Sequence, residues 1–302
     1  MNKPTVGFVG FGEAAQCFAR HLSDVGAAEI IAFCDGPTNH PPYEPAFREL
    51  AARCGARLVD SITQLAQQSE VIFSAVVVAT AEPVGRAIAR ELKSNTILVD
   101  INASTPAQKR AIADAVAYNG GRYVDANLMG SVSIYGARVT LYCSGDGARR
   151  FAEMFSPMGL SIEVADGAAG NAATVKMLRS VVTKGIEALV IEALTAASRA
   201  GVRQEALRGI CEPMDATSFS SFVDMCVRSD ALHAERRAIE MDGVAASVRE
   251  IGVAPLMTEA TCARLRASAA LGLRERFATA PRYTADDVLD AYAAEETRRA
   301  GA

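Results

Sequence analysis

One turn constrains this chain more than any other feature. Thr5–Val9 reads as a short apolar strand, and Gly10-Phe11-Gly12-Glu13-Ala14-Ala15 follows at once. Residues 14–22 then continue as a helix with Ala15, Phe18, Ala19 and Leu22 on one stripe. Strand, glycine turn and helix in that order is the setting in which G-x-G-x-x-G/A reads as a dinucleotide-binding fingerprint. Gly10 permits the tight turn, Gly12 lets the backbone approach a pyrophosphate, and Ala15 lets the helix pack closely on the strand. The phosphates would sit on the helix N-terminus, where backbone N–H groups point outward without intrahelical acceptors. Gly10, Phe11, Gly12, Glu13 and Ala14 are therefore the expected core of a cofactor site.

The next residues support that expectation. A second strand over 29–34 ends at Asp35, which lies 23 residues beyond Gly12. A carboxylate at about this spacing accepts hydrogen bonds from the ribose hydroxyls of NAD and repels the extra phosphate of NADP. NAD is the expected cofactor, with NADP the second choice. A Pro-rich loop over 37–45 leads to a helix over 44–54, and 57–59 is a third strand. After a short helix over 62–67, residues 71–78 form a continuous apolar run, as expected of a central parallel strand covered on both faces. Helices over 83–92 and 106–117 alternate with strands over 96–100, 122–126 and 139–144. Such alternation predicts a mostly parallel, doubly wound sheet. Val76 at the end of the fourth strand and Asn102 after the fifth join the expected cofactor set. Asn102 has the chemistry to hydrogen-bond a nicotinamide amide or a substrate carboxylate.

After Gly170 the pattern changes. Residues 171–200 are one long helix candidate, nearly apolar all round and stopped by Gly201, and a helix without a polar face is expected to be buried. Five more helices are expected over 203–214, 219–228, 232–251, 255–271 and 285–299, and no strand pattern recurs. The fold class is thus an α/β Rossmann-type doubly wound sheet followed by an all-α C-terminal domain. The expected division is 1–166 for the dinucleotide-binding domain and 167–302 for a helical substrate and dimerisation domain that begins with the long interdomain helix.

Composition excludes several function classes. The chain has 302 residues, half of them hydrophobic, and a net charge of −4 with its basic residues scattered. Scattered cations argue against a nucleic-acid partner. No apolar run is long enough to expect a membrane partner, and the N-terminal apolar stretch is already the first strand, so no signal peptide is expected. The seven cysteines lack C-x-x-C spacing and read as buried thiols of a reducing cytoplasm. The three histidines are dispersed, so no metal site is expected.

Chemistry beyond the cofactor loop centres on Lys176, early in the long helix and flanked by Val175, Met177 and Leu178. Such a lysine is either snorkelling to water or held in a cleft, where desolvation would move its pKa toward the range of an acid/base catalyst. Arg179 and Ser180 share its face at i+3 and i+4. A small-residue turn, Met129-Gly130-Ser131, follows the sixth strand, at the sheet end where ligands of open α/β proteins bind.

Taken together these features resemble the β-hydroxyacid dehydrogenases, which include 3-hydroxyisobutyrate, 6-phosphogluconate and L-threonate dehydrogenases. The resemblance rests on the 10–15 loop, on Asp125-Ala126 followed by Gly130, on Gly167-Ala168-Ala169-Gly170 before Lys176, and on a specific C-terminal run. That run, Glu235-Arg236-Arg237, Glu240-Met241 and Gly252-Val253-Ala254-Pro255-Leu256-Met257-Thr258-Glu259-Ala260-Thr261, looks like a less characterised branch. The resemblance implies hydride transfer between nicotinamide and a small 3-hydroxy acid, Lys176 as general acid/base, and a homodimer. It implies Gly130 and Ser131 as carboxylate-holding groups, Arg179 as a bidentate partner of an acidic group, and Ser180 in place of the family's usual asparagine. The substrate loop departs from the usual Ser-Gly-Gly, two asparagines are replaced by Arg179 and Ser180, and Glu240-Met241 falls where many members have Lys-Asp. The family's known substrates therefore do not carry over. Two other functions fit the same architecture: an imine reductase and a non-catalytic nucleotide-binding sensor.

Overall fold

Strands apolar on both faces need cover on both sides, and this chain supplies it. The computed structural model describes residues 3–280 and 282–300. Its strands are β1 (Thr5–Val9), β2 (Glu29–Phe33), β3 (Ala56–Leu58), β4 (Val71–Ser74), β5 (Ile97–Asp100), β6 (Arg122–Leu128), β7 (Leu141–Ser144) and β8 (Ile162–Val164). They form one sheet in the order β3-β2-β1-β4-β5-β6-β7-β8. All neighbours are parallel except β6 and β7, which run antiparallel. The order 3-2-1-4-5-6 is that of the Rossmann fold, with its switch point between β1 and β4. Between the strands lie α1 (Glu13–Asp24), α2 (Pro45–Arg53), α3 (Ile62–Gln68), α4 (Ala81–Glu91), α5 (Pro106–Tyr118), the short α6 (Val132–Tyr135) and α7 (Ala148–Phe155).

Each face of the sheet carries its own core. One face packs Phe8, Phe73, Val99 and Val124 against Phe18 of α1 and Phe151 and Phe155 of α7, with Phe8 and Phe73 stacked at 5.0 Å. The other packs Ile31, Ile72, Leu98 and Tyr123 against Leu65, Ile88, Ile112 and Val116 from α3, α4 and α5.

The chain divides into two compact units, Met1–Val181 and Val182–Ala302. α8 (Asn171–Arg199) runs through that boundary, and α9 (Arg203–Asp215), α10 (Phe219–Glu250), α11 (Leu256–Ala270), α12 (Arg274–Ala278) and α13 (Ala285–Ala300) follow. Within the second unit, Ala231, Phe277, Val288 and Ala291 form a small core. The Glu192 carboxylate caps α11, accepting from the N–H groups of Met257 (2.7 Å) and Thr258 (2.9 Å) and from the Thr258 hydroxyl (2.6 Å). Among the described residues a Rossmann-type sheet is followed by helices alone, the architecture the sequence predicts.

Three local expectations are corrected. The apolar run 71–78 is strand only to Ser74; Val77 and Val78 leave the sheet and are 69% and 48% exposed. Apolarity alone does not mark where a buried strand ends. The helices expected over 219–228 and 232–251 are the single α10, because Ser229 and Asp230 carry no backbone break. The long α8 is not buried all round: Val181 and Ile191 are 67% and 64% exposed. An all-apolar helix is buried only if protein covers every side.

Candidate cofactor and active site

The switch point between β1 and β4 opens into a cavity of about 1040 Å³. Gly10, Phe11, Gly12, Glu13, Ala14, Asp35, Val76 and Asn102, the whole expected cofactor set, line it. The turn after β1 is built as its residue types require. Gly10 adopts φ +83°, and a Cβ there would lie 2.2 Å from the Ala75 carbonyl oxygen, so only glycine fits. Its N–H donates to the Phe33 carbonyl (2.9 Å), tying the turn to β2. Gln16 Nε2 donates to the Phe11 carbonyl (2.8 Å) and fixes the other side. Gly12 is different: a Cβ there would meet nothing within 4 Å, so its open side faces free space. No side chain caps the N-terminus of α1. Its first-turn N–H groups are thus available to an anion, where the helix dipole also favours negative charge.

Asp35 is exposed on the loop after β2. Tyr43 holds that loop: its buried hydroxyl accepts from the Cys34 N–H (3.1 Å) and donates to the Val59 carbonyl (2.9 Å). Sequence reasoning missed Tyr43; an aromatic inside the Pro-rich 37–45 segment was the available signal. Cys34 also lines the cavity, and burial pushes its thiol up to about 11, so it stays protonated. Glu13, Asp35 and Asp60 are the charged lining residues; none of the residues that line the cavity is a lysine or arginine.

Asn102 is nearly fully buried, and its side chain is committed within the protein. Oδ1 accepts from the Val76 N–H (2.7 Å), and Nδ2 donates to Ser74 Oγ (3.0 Å) and Asp100 Oδ1 (2.7 Å). Both amide hydrogens are thus occupied, which leaves one lone pair on Oδ1 for any ligand. The side chain orders the loop after β4 that lines the cavity.

The residues expected at the substrate lie elsewhere in the first unit. Lys176 is half-buried, and neither it nor Arg179 lines the cavity. The exposed Arg179 places Nη1 4.0 Å from the sulfur of Met129, on the loop that carries Gly130 and Ser131. Gly130 is explained by packing: a Cβ would press on the Tyr135 ring at 3.0 Å. Ser131 caps α6 through the Ser133 N–H (3.3 Å), and Ser180 donates to the Lys176 carbonyl (3.0 Å). Both hydroxyls therefore have backbone partners already. Among the described residues no group of three or more His, Cys, Asp and Glu is placed to hold a metal ion. None of the described helices is long and apolar enough to cross a membrane.

Comparison with known proteins agrees with this geometry. Residues 5–104 match the family described as NADP oxidoreductase, coenzyme F420-dependent, and residues 197–268 match a domain of unknown function, DUF1932. A conserved hypothetical protein from Sinorhizobium meliloti is 32% identical, with 88% of each chain covered and a TM-score of 0.62. A second conserved protein of unknown function, described as structurally similar to 3-hydroxyacid dehydrogenases, is 32% identical. It covers 87% of this chain and 97% of its own, with a TM-score of 0.60. An imine reductase from Myxococcus stipitatus, solved as a V8 variant with NAD+, shares the fold at a TM-score of 0.74. It is 18% identical and covers 92% of this chain and all of its own. The fold is that of NAD(P)-dependent oxidoreductases, and by near-full-length likeness the chain belongs with these conserved proteins to a 3-hydroxyacid-dehydrogenase-like family, in a branch whose residues 197–268 match a domain of unknown function.

Proposed function

We propose that this protein is an NAD-dependent dehydrogenase of a small hydroxy acid. The observation that carries the reading is the cavity at the sheet's switch point, lined at once by the Gly10–Gly12 turn, the uncapped start of α1 and Asp35. These residues fit a dinucleotide: the open side of Gly12 would admit the pyrophosphate, and Asp35, which lines the cavity, would accept from the ribose hydroxyls. A bound nicotinamide would accept or deliver the hydride. Three lining carboxylates and no lining cation support NAD over NADP, whose extra phosphate would meet like charge.

Lys176 is the proposed general acid/base, taking the hydroxyl proton as the alcohol is oxidised and returning it in the reverse direction. Arg179 is the proposed partner of the substrate's carboxylate, in a bidentate pair. Its closeness to Met129 supports a substrate held against the 129–131 loop. Gly130 N–H and Ser131 would complete that hold, with the Ser131 hydroxyl released from its cap. The imine-reductase fold shared with the Myxococcus enzyme favours a second reading, C=N reduction. Lys176 supports the first, because the resemblance to β-hydroxyacid dehydrogenases implies a lysine there, whereas imine reductases generally carry another residue at that position.

Two measurements test the proposal. NADH fluorescence titration reads cofactor binding without a substrate. A panel of small 3-hydroxy acids, run beside a cyclic imine, then separates the two reactions. Binding of NADH without turnover of any hydroxy acid or imine would favour a sensor and overturn the enzyme reading.

A further inference from the structure

Three charged side chains are buried among the described residues, Lys109, Asp100 and Asp125, and all three meet at one point. Asp100 and Asp125 end neighbouring strands in register, and Lys109 reaches them from α5. Lys109 Nζ donates to the Asp100 carbonyl (2.7 Å) and lies 3.1 Å from Asp100 Oδ1 and 3.4 Å from Asp125 Oδ1. Its three hydrogens are thereby occupied. Two carboxylates and one ammonium leave a net negative charge in a site closed to water.

Asn127 Nδ2 also donates to Asp125 Oδ1 (2.8 Å), and two further sets of partners lead outward. Asp100 Oδ1 accepts from the backbone N–H and Nδ2 of Asn102 (2.9 and 2.7 Å), and Asn102 holds the Val76 N–H of the cavity-lining loop. Tyr123 steadies the same carboxylate through a 2.7 Å bond to Oδ2. In the other direction, Asp125 Oδ2 accepts from the N–H groups of Gly170 and Ala173, both at 3.0 Å. Ser144 Oγ accepts from the Ala172 N–H (3.0 Å) and leans on Asp125 Oδ2 (3.3 Å). Three orphan donors at the start of α8 are thus satisfied by side chains of the sheet, and the positive end of a 29-residue helix faces the surplus carboxylate. Lys176 follows one turn later.

We propose that Lys109 is a positioning residue: through Asp100 and Asp125 it holds the cofactor-lining loop at Val76 and the first turn of the Lys176 helix in one fixed register. Buried ion clusters are weak devices for stability, since apolar replacements are often as stable, and in some systems their role is to fix register instead. The inference rests on the cofactor reading above, because one of its two arms ends on that cavity.

The test uses the full chain and three substitutions at residues that do not line the cavity: Lys109→Met at the hub, Tyr123→Phe on the loop arm and Asp125→Asn on the helix arm. NADH fluorescence titration reads the first arm, and amide hydrogen exchange over residues 170–176 reads the second. Tyr123→Phe is expected to weaken NADH binding about threefold, in the range of one net hydrogen bond, with exchange over 170–176 unchanged. Asp125→Asn is expected to raise that exchange about tenfold with NADH affinity unchanged, and Lys109→Met to do both. Variants that lose only thermal stability, with NADH affinity and local exchange at wild-type values, would overturn the inference. If Lys109→Met does not fold, the opposite behaviour of the two arm variants still decides it. A wild-type chain that fails to bind NADH overturns the cofactor reading and this inference together; wild-type binding with unmoved variants overturns this inference alone.

Discussion

At Asp35 an exposed carboxylate stands on a loop that Tyr43 holds in place, beside a cavity without lining cations. A phosphate brought within about 4–6 Å of it meets like charge. The wild-type enzyme is expected to show a higher kcat/KM with NAD than with NADP, and Asp35→Ala to narrow the ratio; a wild-type preference for NADP in steady-state kinetics would contradict this. One residue earlier, the Cys34 thiol is raised from 9.0 to about 11 by burial, against the partial opposing pull of hydrogen bonds from the Phe11 and Gly10 backbone. The raised value means that the folded state favours the neutral thiol. Its contribution to stability is full below pH 9.0 and is lost as pH rises through about 11. Cys34→Ala should therefore flatten the fall of the thermal midpoint across that window, and an unchanged slope would contradict the assignment.

At the scale of the element, the two glycines of the first turn make opposite predictions. Gly10→Ala forces a left-handed residue against the Ala75 carbonyl, and should cost about 1–3 kcal/mol of stability in denaturant unfolding. Gly12→Ala meets nothing in the free protein. Its stability should stay within about 0.5 kcal/mol of wild type, while NADH affinity falls about tenfold because a methyl stands where the pyrophosphate must approach. Equal losses of stability in both variants would contradict the reading of the turn. This turn was legible in the sequence because the chemistry that builds it is local. β8 and the antiparallel pairing of β7 were not, since Ile162–Val164 is three residues long and takes its place from tertiary pairing. The buried cluster left a trace that sequence reasoning passed over: Lys109 falls on the Lys109, Ile112, Val116 stripe of α5, where a cation is out of place without a buried partner. Asn102 has the residue type of a ligand contact, and only the structure reveals that both of its amide hydrogens already have partners.

For the whole molecule, α8 carries exposed apolar side chains in each unit, among them Leu178 and Val181 in the first and Ile186 and Ile191 in the second. Surplus apolar surface of this kind marks an interface, and we propose a homodimer. Sedimentation should give a mass above that of the 31.8 kDa chain, and a monomer at all concentrations would contradict it. Cofactor cavity, Lys176 helix and family likeness meet in one claim, that Lys176 moves a proton at the hydroxyl of a hydroxy acid while NAD takes the hydride. Its most direct test is the rate of NADH formation from the 3-hydroxy acid that the panel identifies, measured for the wild type and for Lys176→Ala. The expected result is a fall in kcat of about 10²–10⁴-fold with NADH affinity nearly unchanged, and wild-type turnover by Lys176→Ala would contradict the assignment of Lys176.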